Sequence, residues 1–117
     1  MEEKNAKITG TMLGIEDHGI FSFYLYLDYG GSSQGAGGYS LDTPIRDNEG
    51  KFLCRRGTAA GMELIARILQ LVGVEKWEDL KGKSIRVEIG ESGTIKAIGH
   101  IIKDDWFCPE KDFNTSK

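Results

Sequence analysis

Five of the nine residues from 30 to 38 are glycine, and the segment (Gly30-Gly31-Ser32-Ser33-Gln34-Gly35-Ala36-Gly37-Gly38) lies between two stretches that read as β-strands. Glycine weakens a strand, because more backbone freedom is lost on folding and no side chain packs in return. So dense a run implies that a ligand or another chain approaches this backbone closely. The specific phosphate loops do not fit. No Gly-Lys-Ser/Thr ending is present, the spacing is not that of the dinucleotide fingerprint, and no helix follows at once to offer its amides. What remains is a bare backbone with Ser32, Ser33 and Gln34 as hydrogen-bonding partners. The competing reading is a flexible hairpin tip or a tightly packed subunit contact.

The flanking sequence alternates. In residues 20–29, Phe21, Phe23, Leu25 and Leu27 share one side, while Ser22, Tyr24, Tyr26 and Asp28 share the other. The first side is core; the second is half-polar and aromatic, suited to a partner. A first strand is expected over residues 7–15, with a return strand over 38–41. Asp47-Asn48-Glu49-Gly50 predicts a turn into a short strand over residues 51–56. Residues 58–72 carry Met62, Ile65, Leu69 and Val72 at helical spacing, widened by Ile68. Thr58 is placed to cap the start and Gly73 to terminate the helix. Trp77-Glu78-Asp79-Leu80 predicts one further turn, and residues 84–89 and 94–102 a closing hairpin. The class is α+β: an antiparallel β-sheet or meander, one main helix packed on one face, and a C-terminal β-hairpin. One domain over residues 1–117 suits the length, with residues 110–117 as a frayed tail.

A net charge of −3 gives no global field to gather nucleic acid, so nucleic acid ranks below a small ligand as partner. Without an apolar run to span a membrane or serve for export, and with two isolated cysteines, a cytoplasmic setting is expected. Cys54 lies in an apolar stretch and reads as core. His18, His100, Cys54 and Cys108 lack the spacing of a structural zinc site, so no metal and no cofactor are expected. Carboxylates abound (Glu16, Asp17, Asp28, Asp42, Asp104, Asp105), yet no nucleophile–base pair accompanies them, and no enzyme is expected.

The candidate ligand-binding residues are Ser33, Gln34, Gly37, Gly38 and Tyr39 of the glycine segment; Arg55, Arg56 and Thr58 before the helix; and His100 and Trp106 near the end. Two arginines beside helix N-terminal amides form the best anion site, unless they are simply solvated. Trp106-Phe107 beside Lys103 suits a base and its phosphate, unless the pair only plugs the core.

Several stretches together resemble a family of small phage and prophage proteins: Gly14-Ile15-Glu16-Asp17-His18-Gly19, Gly37-Gly38-Tyr39-Ser40-Leu41-Asp42, Trp77 through Val87, and Ala97-Ile98-Gly99-His100 with Trp106-Phe107. The resemblance spans nearly the whole chain and carries no catalytic residues. The Leu80-Lys81-Gly82-Lys83 turn is similar to phage replication and single-strand-binding accessory proteins over the C-terminal third. By analogy of class, small phage proteins also include anti-defence sponges for cyclic nucleotides or cyclic ADP-ribose. The leading expectation is thus a non-enzymatic homodimer or higher homo-oligomer that sequesters a small anionic nucleotide and blocks host immunity. The alternatives are a single-stranded DNA-binding factor of phage recombination or replication, and an inhibitor docking on a host defence enzyme.

Overall fold

A computed structural model describes residues 2–108; the expected frayed tail lies outside the described residues. The fold is built on β1 (Glu2–Asp17), one strand with two partners. Residues 2–7 pair antiparallel with β6 (Ser84–Ile89), and residues 7–17 with β2 (Ile20–Asp28). Two residues past the changeover at Lys7, a bulge leaves Thr9 with no opposite residue on β2, and bulges bend a strand. Thr9 Oγ1 holds the bend by donating to the Tyr26 carbonyl at 3.1 Å.

The sheet grows outward from β1 in the order β3-β2-β1-β6-β7-β8, with β3 (Ser33–Ser40), β7 (Ile95–His100) and β8 (Trp106–Phe107), every neighbouring pair antiparallel. It follows that β3 and β7 run parallel to each other. The sheet curls until they meet at Gln34, which accepts from the Ile95 amide at 3.0 Å and donates to the Gly93 carbonyl at 2.9 Å. The C-terminal half of β7 is covered by β8 instead. The result is a partly open barrel, with β4 (Asp42–Arg46) and β5 (Phe52–Gly57) forming a separate two-stranded ribbon after β3. Its turn is set by Asp47, whose Oδ1 accepts from the amides of Glu49 and Lys51, both at 2.9 Å.

Helix α1 (Ala59–Val72) plugs the barrel. Thr58 Oγ1 accepts from the Gly61 amide at 2.9 Å, and Gly73 ends the helix in the left-handed region at φ 87°. No acidic residue lies in its first turn and no basic residue in its last, so dipole pairing, about 0.3–1 kcal/mol per charge, contributes nothing. Burial holds it. Leu64, Ile68 and Leu71 are fully buried, at roughly 1.5–3 kcal/mol each, against Ile8, Leu25, Ile85, Val87 and Phe107. No helix among the described residues is long and apolar enough to cross a membrane.

The α+β class, the helix with both its caps and the final hairpin are as expected. Four details differ. The first strand is longer at both ends, because its two halves have separate partners. The return strand begins at Ser33, so Gly35, Gly37 and Gly38 lie inside it. The buried stripe of α1 is Gly61-Leu64-Ile68-Leu71, one position round from the expected stripe, and Met62 is 67% exposed. Cys54 is exposed, because its ribbon stands off the barrel.

Gly61 explains the rotation: a Cβ there would lie 2.4 Å from the Leu41 carbonyl oxygen. A Gly61→Ala variant gains about 1 kcal/mol of helix propensity but forces backbone apart at a cost of about 1–3 kcal/mol. Thermal unfolding is therefore expected to show a lower Tm by several degrees; an unchanged or higher Tm would refute the docking role of Gly61.

A tyrosine face over glycine strands

The outer side of β2 and β3 is where aromatic rings meet glycine. Register places Tyr24 opposite Gly37 and Tyr26 opposite Gly35, while on the other flank Tyr26 faces Gly10 of β1. Tyr26 sits between two glycines: its Cδ2 and Cδ1 lie 3.5 and 3.7 Å from the points where Cβ atoms of Gly10 and Gly35 would be. Tyr24 lies across β3, with Cδ1 3.4 Å from the Gly35 position and its hydroxyl 2.8 Å from that of Gly38. The two rings are parallel within 7°, with centroids 6.2 Å apart, and Tyr26 is 44% exposed. At Gly38 the Tyr24 hydroxyl occupies the space a Cβ would need, while at Gly10 and Gly35 the rings lie at ordinary contact distance over bare backbone. This is aromatic rescue of a glycine edge.

Gly37 and Gly38 do more. A bulge opposite Phe23 requires φ of 140° at Gly37 and 82° at Gly38, and a Cβ on Gly37 would lie 2.3 Å from the Phe23 carbonyl oxygen. The extra residue turns Tyr39 inward, where its ring stacks on Phe23 with centroids 6.3 Å apart. Tyr39 is thus a partly buried aromatic packed against the core.

The other candidate residues are spread over the molecule, and most hold the fold. Gln34 closes the barrel seam and also donates to the Tyr29 hydroxyl at 2.8 Å. Thr58 caps α1. Arg55 binds Asp42 at 2.8 Å and Ser40 at 3.4 Å, while Arg56 is exposed on the next position of the ribbon. His100 Nδ1 accepts from the amides of Ile102 and Lys103, at 3.0 and 2.9 Å, shaping the loop into β8. Trp106 covers Gly99, whose Cβ would lie 2.7 Å from the indole, and stacks on the Arg86 guanidinium, 4.8 Å from the ring centroid. Arg86 in turn donates to the carbonyls of His100 and Lys103, at 2.8 and 2.6 Å. Ser33 is exposed at the start of β3 opposite Asp28. The expected anion site before α1 is therefore divided: Arg55 serves Asp42, and Thr58 serves the helix.

A cleft does open at the β3–β7 seam, lined by Leu25, Ala36, Tyr39, Ile68, Lys96 and Phe107 among others. It has room for about one or two water molecules. Among the described residues no group of His, Cys, Asp and Glu could hold a metal ion.

The Asp42 carboxyl, only 6% exposed, is held below the usual carboxylate range, first by the Arg55 hydrogen bond and then by the Phe21 amide and Ser40, against an opposing desolvation. A depressed folded pKa means that the stabilisation is present above the unfolded value of about 3.9 and disappears as pH falls through the lower folded value. The protection of β4 and β5 amides, relative to their intrinsic exchange rates at each pH, is expected to fall on acidification below about pH 4, and Asp42→Asn to show low protection at neutral pH with little further acid response. Equal protection in both proteins across that range would exclude the role. Among the glycines, Gly37→Ala is expected to lower Tm most, Gly38→Ala less and Gly35→Ala least, following backbone contact, hydroxyl contact and ordinary ring contact; φ > 0 at the first two adds roughly 1–3 kcal/mol. A different order in thermal melts would contradict the packing given for β3.

No protein-family model, curated protein or solved structure matches this chain, so the chemistry of the tyrosine face carries its assignment.

Proposed function

We propose that this protein binds single-stranded nucleic acid, stacking bases on Tyr24 and Tyr26. The observation that supports it is a pair of parallel tyrosine rings on the outer face of two adjacent strands, one of them 44% exposed. A base offers every such ring a π-face, and base–aromatic stacking contributes about 1–3 kcal/mol per base without regard to sequence.

The strand order lends support by analogy. A bent first strand shared between two partners, a helix between the third barrel strand and the next, and a seam between parallel strands are features of the partly open Greek-key barrels called OB-folds. Those barrels bind oligonucleotides on the face of their second and third strands. This is likeness of architecture and says nothing of ligand identity. Sequestration of a small nucleotide has less geometric support, since its expected residues are dispersed and the seam cleft admits only water-sized groups.

The face is close to neutral, with Lys7 paired in register to Asp28 beside Tyr26. Binding should therefore depend on stacking more than on counterion release, and its salt dependence should be shallow. With fluorescently labelled oligothymidylate and oligouridylate, Tyr24→Leu and Tyr26→Leu are each expected to lower affinity by about five- to hundredfold. Tyr→Phe at either position should retain it, with unchanged circular dichroism. Absence of binding by wild-type protein at low salt, together with a melting shift from a cyclic nucleotide or an ADP-ribose isomer, would replace this proposal by the small-nucleotide one.

A further inference from the structure

The β4–β5 ribbon is a two-stranded sheet with little of the barrel against it, and such ribbons are marginal unless something covers them. It is tied to the tyrosine face. Side chains alternate from β3 into β4: Leu41 is buried in the core, while Ser40 and Asp42 share the outer side, their side chains 3.1 Å apart. The same alternation carries Pro44 and Arg46 outward, and pairing sets Arg55 opposite Pro44 and Phe52 opposite Arg46. Arg55 locks the junction through Asp42 and Ser40. Two polar atoms at this junction, Ser22 Oγ and Arg55 Nε, are buried with no partner among the described residues.

Charge distinguishes the ribbon from the rest. Residues 42–57 hold four cations (Arg46, Lys51, Arg55, Arg56) against three carboxylates, a net +1 in a chain of −3, which leaves −4 for the remainder. Arg46 forms no ion pair among the described residues, and Phe52 beside it is 50% exposed. Arg46 makes one hydrogen bond, from Nη1 to the Gly50 carbonyl at 3.3 Å across the ribbon turn, which leaves the other guanidinium N–H groups for an anion. An exposed aromatic beside such an arginine can hold a base and its phosphate.

Resting on the reading of the tyrosine face given above, we infer that the ribbon is the second half of one binding track. The nucleic-acid strand runs from Tyr26 and Tyr24 across the Ser40–Arg55 junction to Phe52 and Arg46, where Phe52 stacks a base and Arg46 holds a phosphate. From Gly37 to Arg46 the backbone extends about 30 Å, at about 3.3 Å per residue, within a molecule 50 Å long. That length accommodates several nucleotides and falls within the roughly 4–16 nucleotides that such barrels occupy.

Length dependence tests it. Oligothymidylates of about four and about twelve nucleotides, with oligouridylates of the same lengths, are titrated into the full chain by fluorescence anisotropy at several salt concentrations. The longer strand is expected to bind at least about tenfold more tightly. Phe52→Ala and Arg46→Gln should each remove most of that gain, Arg46→Gln should reduce the salt slope by about one, and neither should alter the short strand. If the length gain survives both substitutions, or no gain exists, the track is wrong while the tyrosine reading stands. If wild type binds neither length, both are wrong. Sedimentation of the same variants supplies a further outcome. Loss of self-association in Phe52→Ala, with oligonucleotide affinity unchanged, would make the ribbon a contact between copies of this chain and overturn the inference.

Discussion

One tyrosine ring between two glycines organises this molecule. Tyr26 projects from β2 where β1 bends, and its ring takes up the outer space above Gly10 on one flank and Gly35 on the other. The bend is what allows residues 2–7 of β1 to leave β2 and pair with β6, so the barrel curls where the glycines lie. A methyl at position 10 or 35 would meet the rings at ordinary contact distance, whereas a larger side chain would have to share the face with them. The loss of strand stability at each glycine is offset by aromatic area laid over bare backbone.

The arginines show how an acidic chain keeps its charges in order. Arg86 is enclosed by the Trp106 ring, the Glu3 carboxylate and two carbonyls; Arg67 of α1 binds Asp105 at 2.6 Å beside β8; Arg55 binds Asp42. Each guanidinium joins a late or peripheral segment to the barrel, and its planar fork makes the joint directional. With these three committed to the fold, the cations left for a partner are at the surface, and Arg46, Lys51 and Arg56 of them lie on one ribbon. With Asp42 paired to Arg55, the ribbon carries these three cations against Asp47 and Glu49, a small positive excess in a chain of net −3.

Much of this was legible from residues alone. Alternation over residues 20–29 separates Phe23, Leu25 and Leu27 from Tyr24 and Tyr26 with the correct faces, and the Thr58 and Gly73 caps bound the helix to within a residue. Short-range rules sufficed there because the deciding contacts are local. What escaped depends on contacts between distant segments. The buried stripe of α1 turns on Gly61 meeting Leu41, and the inward Tyr39 on a bulge opposite Phe23. Gln34 reads as a ligand-binding amide in a glycine loop, yet its partners, Gly93 and Ile95, lie about sixty residues away. Arg46 and Phe52 were missed for another reason. The alternation that marks them passes through Leu41 from one strand to the next, and a signal carried across a strand junction is lost when each strand is read separately.

A bare glycine backbone and a neutral aromatic face bear together on the kind of partner. A phosphate cradle needs successive amides that converge on one point, whereas β3 is an extended strand paired with β2 along one edge, its outer face overlaid by the rings of Tyr24 and Tyr26. What the strand leaves exposed is therefore ring area, sequence-tolerant and uncharged. An uncharged surface alone does not steer a polyanion, and a basic ribbon alone does not seat bases. Joined through Ser40, Asp42 and Arg55, the two supply complementary terms: stacking at one end, phosphate contact at the other. The Asp42–Arg55 pair matters to that division because it neutralises the one buried carboxylate on the path. In the proposed track, loss of Arg55 would leave Asp42 as an uncompensated negative charge midway between the two ends.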